Sequence, residues 1–177
     1  AQARQQLRWG PITEQPIRNA KQVGDEMPPE LVTAIRQVTE QGNGASGTRP
    51  LYEDQPRVYE LDEIEVTRNL SYGSHERQHL DIHTDRLRRS DQPMPVIMYF
   101  HGGGFIRGDK DGSRNVADYF ASLGLVGVNA TYRLAPEAKF QDGANDMGAA
   151  VAWVQERNAE YGRETSRVFV LGISAAA

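Results

Sequence analysis

The sequence predicts an α/β fold: an antiparallel hairpin leading into parallel strands joined by crossover helices, with an N-terminal arm and cap helix in front. Three observations predict it. From Pro95 onward the order is strand, glycine loop, helix, strand, loop, helix, strand, which is how a parallel sheet with crossover helices is written in one dimension. Before that, two short alternating segments flank a turn, the pattern of a hairpin. Composition also divides near Pro95. Residues A, V, I, L, M, F, W and Y make up 28 of the first 94 positions but 40 of the last 83, and 11 of the 17 glycines lie in the second part. Core and tight turns therefore belong to the later part, and the expected division is 1–63 for the arm and cap helix and 64–177 for the α/β unit.

The totals narrow the class. A chain of 177 residues can bury one real core. Its net charge of −4 offers no general attraction to nucleic acid or to acidic membranes, so neither is an expected partner. The absence of cysteine removes disulfides, thiol catalysis and thiolate metal sites. No apolar run approaches the length needed to cross a bilayer. The opening Ala1-Gln2-Ala3 fits the A-x-A of a signal-peptidase site as well as a trimmed start, leaving cytoplasm and periplasm both open.

In chain order, residues 1–28 carry few apolar anchors beyond Leu7, Trp9, Ile12 and Ile17 and read as an extended arm. Leu31, Ala34, Ile35 and Val38 follow the i, i+3, i+4, i+7 spacing of one helical face, opened by Pro28-Pro29 and stopped at Gly42. This face either packs on its own domain, covers a site, or meets a second copy in a homodimer. Gly42-Asn-Gly-Ala-Ser-Gly47 is a literal G-x-G-x-x-G, but dinucleotide binding needs a strand before it and a helix after it. Here a helix precedes and Thr48-Arg49-Pro50 follows, so a loop is predicted and no cofactor.

Alternating segments at Ile64–Ser71 and Gln78–Thr84 flank Tyr72-Gly-Ser-His-Glu-Arg77 and form the predicted hairpin. His79 and His83 would be metal ligands on one face of a helix. As a strand the second segment instead places His79, Asp81, His83 and Asp85 opposite Leu80 and Ile82, and the histidines are expected on a solvated face without metal. Arg86, Arg88 and Arg89 precede Ser-Asp-Gln-Pro, the composition of a solvated loop.

After the strand Pro95–Phe100 come a helix near Ser113–Leu123, with Val116, Phe120 and Leu123 inward, and a strand at Leu125–Thr131. A longer helix near Asp142–Tyr161 presents Ala144, Met147, Val151 and Val154 at helical spacing. Val168–Leu171 is the strand that delivers Ser174, and it would expose a sheet edge that a stable domain covers.

Two glycine-bearing strand ends carry the chemistry. His101-Gly-Gly-Gly-Phe105 leaves backbone N–H groups bare after a strand, the way an oxyanion hole is built. Gly172-Ile-Ser174 places a serine on a tight turn after another strand, where a nucleophile stands. Together with Gly108-Asp-Lys110 and Tyr132-Arg-Leu-Ala-Pro-Glu137, these pieces resemble the α/β-hydrolase esterases. The likeness is to the hormone-sensitive-lipase-like enzymes and the neighbouring bacterial carboxylesterase and arylformamidase groups, and it runs from about Tyr72 to Ala177.

The resemblance implies the N-terminal part of an α/β-hydrolase fold and a serine hydrolase of small carboxylic esters working through an acyl-enzyme. Ser174 would be the nucleophile, and Gly103, Gly104 and Ala175 the backbone oxyanion donors. Phe105 either walls the substrate pocket or belongs to the core. His101 takes a loop-shaping role and not that of base, Tyr132-Arg133 and Pro136-Glu137 brace the loop beneath the site, and Asp146 pairs with Arg133. Ala176 stands where the family has glycine. The family's triad acid and base follow the serine, and no Asp, Glu or His follows Ser174 here. The expectation is therefore a fragment, a cleaved chain, or one part of a longer polypeptide whose remainder, in the same or a second chain, completes the site. Amide hydrolysis of the arylformamidase kind and a non-catalytic binding protein on the same fold are the alternatives.

Overall fold

The computed structural model describes residues 29–42, 50–53, 60–87, 94–157 and 167–177. The chain divides into two compact units, Ala1–Val58 and Tyr59–Ala177. In the first, helix α1 (Pro29–Glu40) opens on a proline, whose fixed φ and missing N–H suit a helix start. Leu31 is buried and Ala34, Ile35 and Val38 are half-buried, while Thr33, Arg36 and Gln37 are exposed, so the expected apolar face forms. The Thr33 hydroxyl donates to the Pro29 carbonyl at 2.9 Å, and a short helix α2 (Pro50–Glu53) packs against α1. The arm 1–28 and the glycine loop beyond Gly42 lie outside the described residues.

The second unit holds a five-stranded sheet. Strands β1 (Ile64–Ser71) and β2 (His79–Asp85) form the antiparallel hairpin, followed by β3 (Val96–Phe100), helix α3 (Arg114–Ser122), β4 (Val126–Ala130), helix α4 (Phe140–Arg157) and β5 (Val168–Gly172). The spatial order is β1-β2-β4-β3-β5. Strand β2 pairs antiparallel with β4, and β3 pairs parallel with both β4 and β5. The near-continuous apolar runs of β3 and β4 are those of strands covered on both faces, and Met98, Phe100, Val128 and Ala130 are almost fully buried. Among the described residues strand β5 lies at one edge of the sheet, bonded to β3 alone, with Phe169, Val170 and Leu171 exposed.

Three faces differ from the expected ones. Strand β2 is not a solvated face: His83 and Asp81 are fully buried. The His83 ring bonds Asp118 Oδ1 through Nδ1 at 2.6 Å and Asn129 Oδ1 through Nε2 at 3.0 Å, while Asp81 accepts from Lys110 Nζ at 3.0 Å. Alternation identified which residues share a face, but polar partners from α3 and β4 let that face be buried. On α3 the deeply buried positions are Ala117, Asp118 and Ala121, with Val116 and Phe120 only half-buried. On α4 the expected Val154 is buried and Met147 and Val151 are half-buried against the core, but Gly143, Asp146 and Ala150 are buried beside them and Ala144 is exposed. On α3 small residues face the sheet because its backbone approaches the strands too closely for large ones, and on α4 Gly143 lies close to Tyr132, Arg133 and Phe105.

That approach is tightest at Gly127 of β4, where a Cβ would lie 2.1 Å from the Ala117 carbonyl oxygen. Gly127→Ala must therefore push α3 off the sheet and is expected to cost about 1–3 kcal/mol or more, as overpacking of a close-packed interior does. Urea denaturation followed by circular dichroism measures it.

Candidate active site

Pairing of β3 with β5 sets Phe100 opposite Gly172, so the segments that leave these two strands emerge side by side. The closeness is measurable at Gly102, where a Cβ would stand 2.9 Å from the Ile173 carbonyl oxygen and 3.1 Å from Ser174 Cβ. Only a residue without a side chain lets the two turns touch there. Ser174 itself is exposed and has φ 57°, the left-handed region that costs a non-glycine residue about 1–3 kcal/mol. It opens a short 3-10 turn, Ser174–Ala176, in which Ala176 N–H donates to the Ile173 carbonyl at 3.1 Å. Room for that turn comes from Gly172, since a Cβ there would lie 1.8 Å from the Ala176 carbonyl oxygen. The alanine at position 176 thus fits, half-buried against the core.

The glycine loop is shaped by its own backbone. Gly103 and Gly104 have φ 130° and 64°, and the Gly103 carbonyl accepts from the N–H groups of Ile106 and Arg107, both at 3.2 Å. Among the described residues no backbone carbonyl accepts the N–H of Gly103 or Gly104. Phe105 lies edge-on to Tyr132 and beside Phe140, and its carbonyl accepts from Ala135 N–H at 2.7 Å. It is half-buried against the core, with the adjacent Ile106 and Phe140 exposed.

His101 is a buried strut. Its Nδ1 donates to the Gly102 carbonyl at 2.8 Å, its ring stacks on Tyr132 with centroids 4.5 Å apart, and its own carbonyl accepts from the Tyr132 hydroxyl at 2.6 Å. Burial, working against the bond to Gly102, pushes its imidazole below the ordinary value, and burial pushes the Tyr132 phenol up. Beneath the loop, Asp146 accepts two side-chain bonds from Arg133, at 2.9 and 2.8 Å, a third from the Arg133 backbone N–H at 2.9 Å, and one from Gln78 Nε2 at 2.7 Å. The Arg133–Asp146 pair read from the sequence is thus present, with the carboxylate buried. Burial raises the Asp146 carboxyl, but the bonds from Arg133 and Gln78 outweigh it and leave it below the ordinary 3.8.

One contributor has no local signal in the sequence. Arg77, in the hairpin turn, donates through Nε to the Tyr132 carbonyl at 2.9 Å and through an Nη to the Gly108 carbonyl at 2.8 Å. Both partners are distant in the chain, and nothing about an arginine in a polar turn announces them.

Residues 97–177 match the family described as the alpha/beta hydrolase fold. Within the matching part the chain is 42% identical over 83 residues to the carboxylesterase NlhH of Mycobacterium tuberculosis, covering 46% of this chain and 26% of that protein. It is 39% identical over 82 residues to the esterase LipI of the same organism, with the same shares covered. Among solved structures, a bacterial heroin esterase superposes with TM-score 0.63 at 26% identity, over 85% of this chain and 49% of that one. Esterase B from Lactobacillus rhamnosis gives TM-score 0.64 at 23% identity, over 83% and 46%, a likeness of fold. The chain spans about a quarter of the length of these curated relatives.

Two outcomes follow from the geometry. Gly102→Ala forces the loop and the serine turn apart and is expected to lower stability by about 1–3 kcal/mol, read by urea denaturation. Because the folded Asp146 carboxyl titrates below 3.8, its stabilisation is complete above that pH and is lost as pH falls through the lower folded value. Asp146→Asn is therefore expected to melt well below the parent at pH 7, with the gap narrowing at pH 3 in thermal melts.

Proposed function

We propose that this chain, whose residues 97–177 carry the alpha/beta hydrolase fold, supplies the nucleophile and oxyanion donors of a serine hydrolase that cleaves small carboxylic esters. The observation that carries the reading is the contact of Gly102 with Ile173 and Ser174, which sets an exposed serine beside a loop of bare backbone donors. The names of the matching relatives, a carboxylesterase and an esterase, support an ester as substrate.

In this mechanism Ser174 Oγ attacks the acyl carbon and passes its proton to a base, which hands it to the departing alcohol; water then releases the acid by the same route in reverse. The N–H groups of Gly103, Gly104 and Ala175 receive the oxyanion, each donor of this kind being worth about 3–4 kcal/mol in the transition state. Strain at Ser174 keeps the hydroxyl presented at the tip of its turn. Phe105, with Ile106 and Phe140 beside it, offers an apolar wall to the acyl or alcohol group.

The base's role falls to none of the four histidines in this reading, since each has a ring nitrogen hydrogen-bonded within the fold. His75 Nδ1 accepts from the Arg77 N–H, and His79 bonds the Glu76 carbonyl. His83 is buried between Asp118 and Asn129, and His101 is stacked beneath the loop. In this reading the remainder of a hydrolase domain supplies the imidazole and its orienting carboxylate.

The full-length protein is expected to take up a fluorophosphonate on Ser174 and to hydrolyse a short-chain aryl ester. Ser174→Ala abolishes the label and lowers turnover by about a thousand-fold or more. A folded, unlabelled full-length protein would instead make this a binding module on the same fold, and faster turnover of N-formylkynurenine than of the ester would make it an amide hydrolase.

A further inference from the structure

We infer that Arg77 is a positioning residue for the glycine loop: by joining the Gly108 and Tyr132 carbonyls it closes a clamp around His101 and so fixes where Gly103 and Gly104 stand against Ser174. The inference deepens the hydrolase reading and rests on it for the catalytic consequence, though not for the clamp itself.

His101 sits between an aromatic ring and a backbone turn. On one side its ring stacks on Tyr132 at 4.5 Å with an interplanar angle of 13°. On the other it meets Gly108, where a Cβ would lie 2.3 Å from His101 Nδ1, 2.7 Å from its Cε1 and 2.5 Å from the Gly102 carbonyl oxygen. Gly108 thus folds back onto the base of the loop that began at His101. One guanidinium ties the two sides together, with Nε to the Tyr132 carbonyl at 2.9 Å and an Nη to the Gly108 carbonyl at 2.8 Å. Asp109 Oδ2, 3.8 Å from the other Nη, adds charge to the same arm.

The remaining bonds leave this work to Arg77. The Tyr132 hydroxyl holds the His101 carbonyl and Ala135 N–H holds the Phe105 carbonyl, which fixes the start and middle of the loop. Lys110 Nζ, on Asp81, fixes the chain after it. At Gly108 the Arg77 bond is the one hydrogen bond among the described residues that reaches its carbonyl. A planar fork reaches two carbonyls in fixed directions, which the single ammonium of lysine cannot reproduce.

The test uses the parent, Arg77→Met and Arg77→Lys. Amide hydrogen exchange of the peptide covering His101–Gly108 is expected to quicken about ten-fold or more in both variants, as the loss of a charged hydrogen bond allows, while peptides of β4 and α4 keep the parent's rate. In the full-length protein, fluorophosphonate labelling of Ser174 slows by a similar factor, turnover of a short aryl ester loses kcat with KM little changed, and added methylguanidine restores part of the rate in Arg77→Met. Parent-like exchange in the loop of both variants, or slowing in Arg77→Met that Arg77→Lys fully rescues, overturns the clamp. If Arg77→Met does not fold, Arg77→Lys decides by the same exchange measurement. A parent that takes no label sinks the hydrolase reading, and loop exchange in the variants still decides the clamp.

Discussion

The register that sets Phe100 opposite Gly172 is the constraint on which the rest depends. Two strands far apart in sequence end at the same level, and each continues into a turn that needs glycine for a different steric reason. Gly102 must let Ile173 and Ser174 approach it, and Gly172 must leave space for the carbonyl of Ala176. Much else in the second unit serves to hold those ends still. Apolar strands covered on both faces fix the sheet, and Tyr132, Arg133, Asp146 and Arg77 brace the loop from below.

Polar groups do an unusual share of that bracing. Tyr72 donates to the Thr131 carbonyl at 2.5 Å, the Thr131 hydroxyl donates to the carbonyls of Arg77 and His79, and Asn129 Nδ2 donates to the Lys110 carbonyl at 2.8 Å. Each bond joins the hairpin or the loop after the glycines to the end of β4. Such a network specifies one arrangement, because breaking any member leaves a buried group unpaired. It also explains how β2 carries two charged-type residues, Asp81 and His83, without facing solvent.

The strands, helices and glycine turns were legible because each rests on local chemistry: alternation for the hairpin, apolar runs for β3 and β4, and glycines at the strand ends. The inward faces of α3 and α4 were legible only in part. Apolar spacing finds Met147, Val151 and Val154 but also favours Val116 and Ala144, whereas the structure buries Ala117, Ala121, Gly143 and Asp146. That choice is made by close helix–sheet contact at Gly127 and by the arginine waiting for Asp146, and neither is a local property. His83 escaped for the same reason, since its partners Asp118 and Asn129 come from two other elements. At the site, Ser174 and the glycines stand out by motif, while Arg77 does its work through backbone carbonyls that carry no sequence signature.

The β3–β5 ladder has a thermodynamic side. Among the described residues it is what joins the two halves of the candidate site, so opening it parts Ser174 from the glycine loop. A ligand that grips both Ser174 and the glycine loop binds only the closed state, and it stabilises that state by RT ln(1 + [L]/Kd), about 2.7 kcal/mol at a hundred times Kd. Occupancy of the site and integrity of the β3–β5 pairing are one equilibrium seen from two ends.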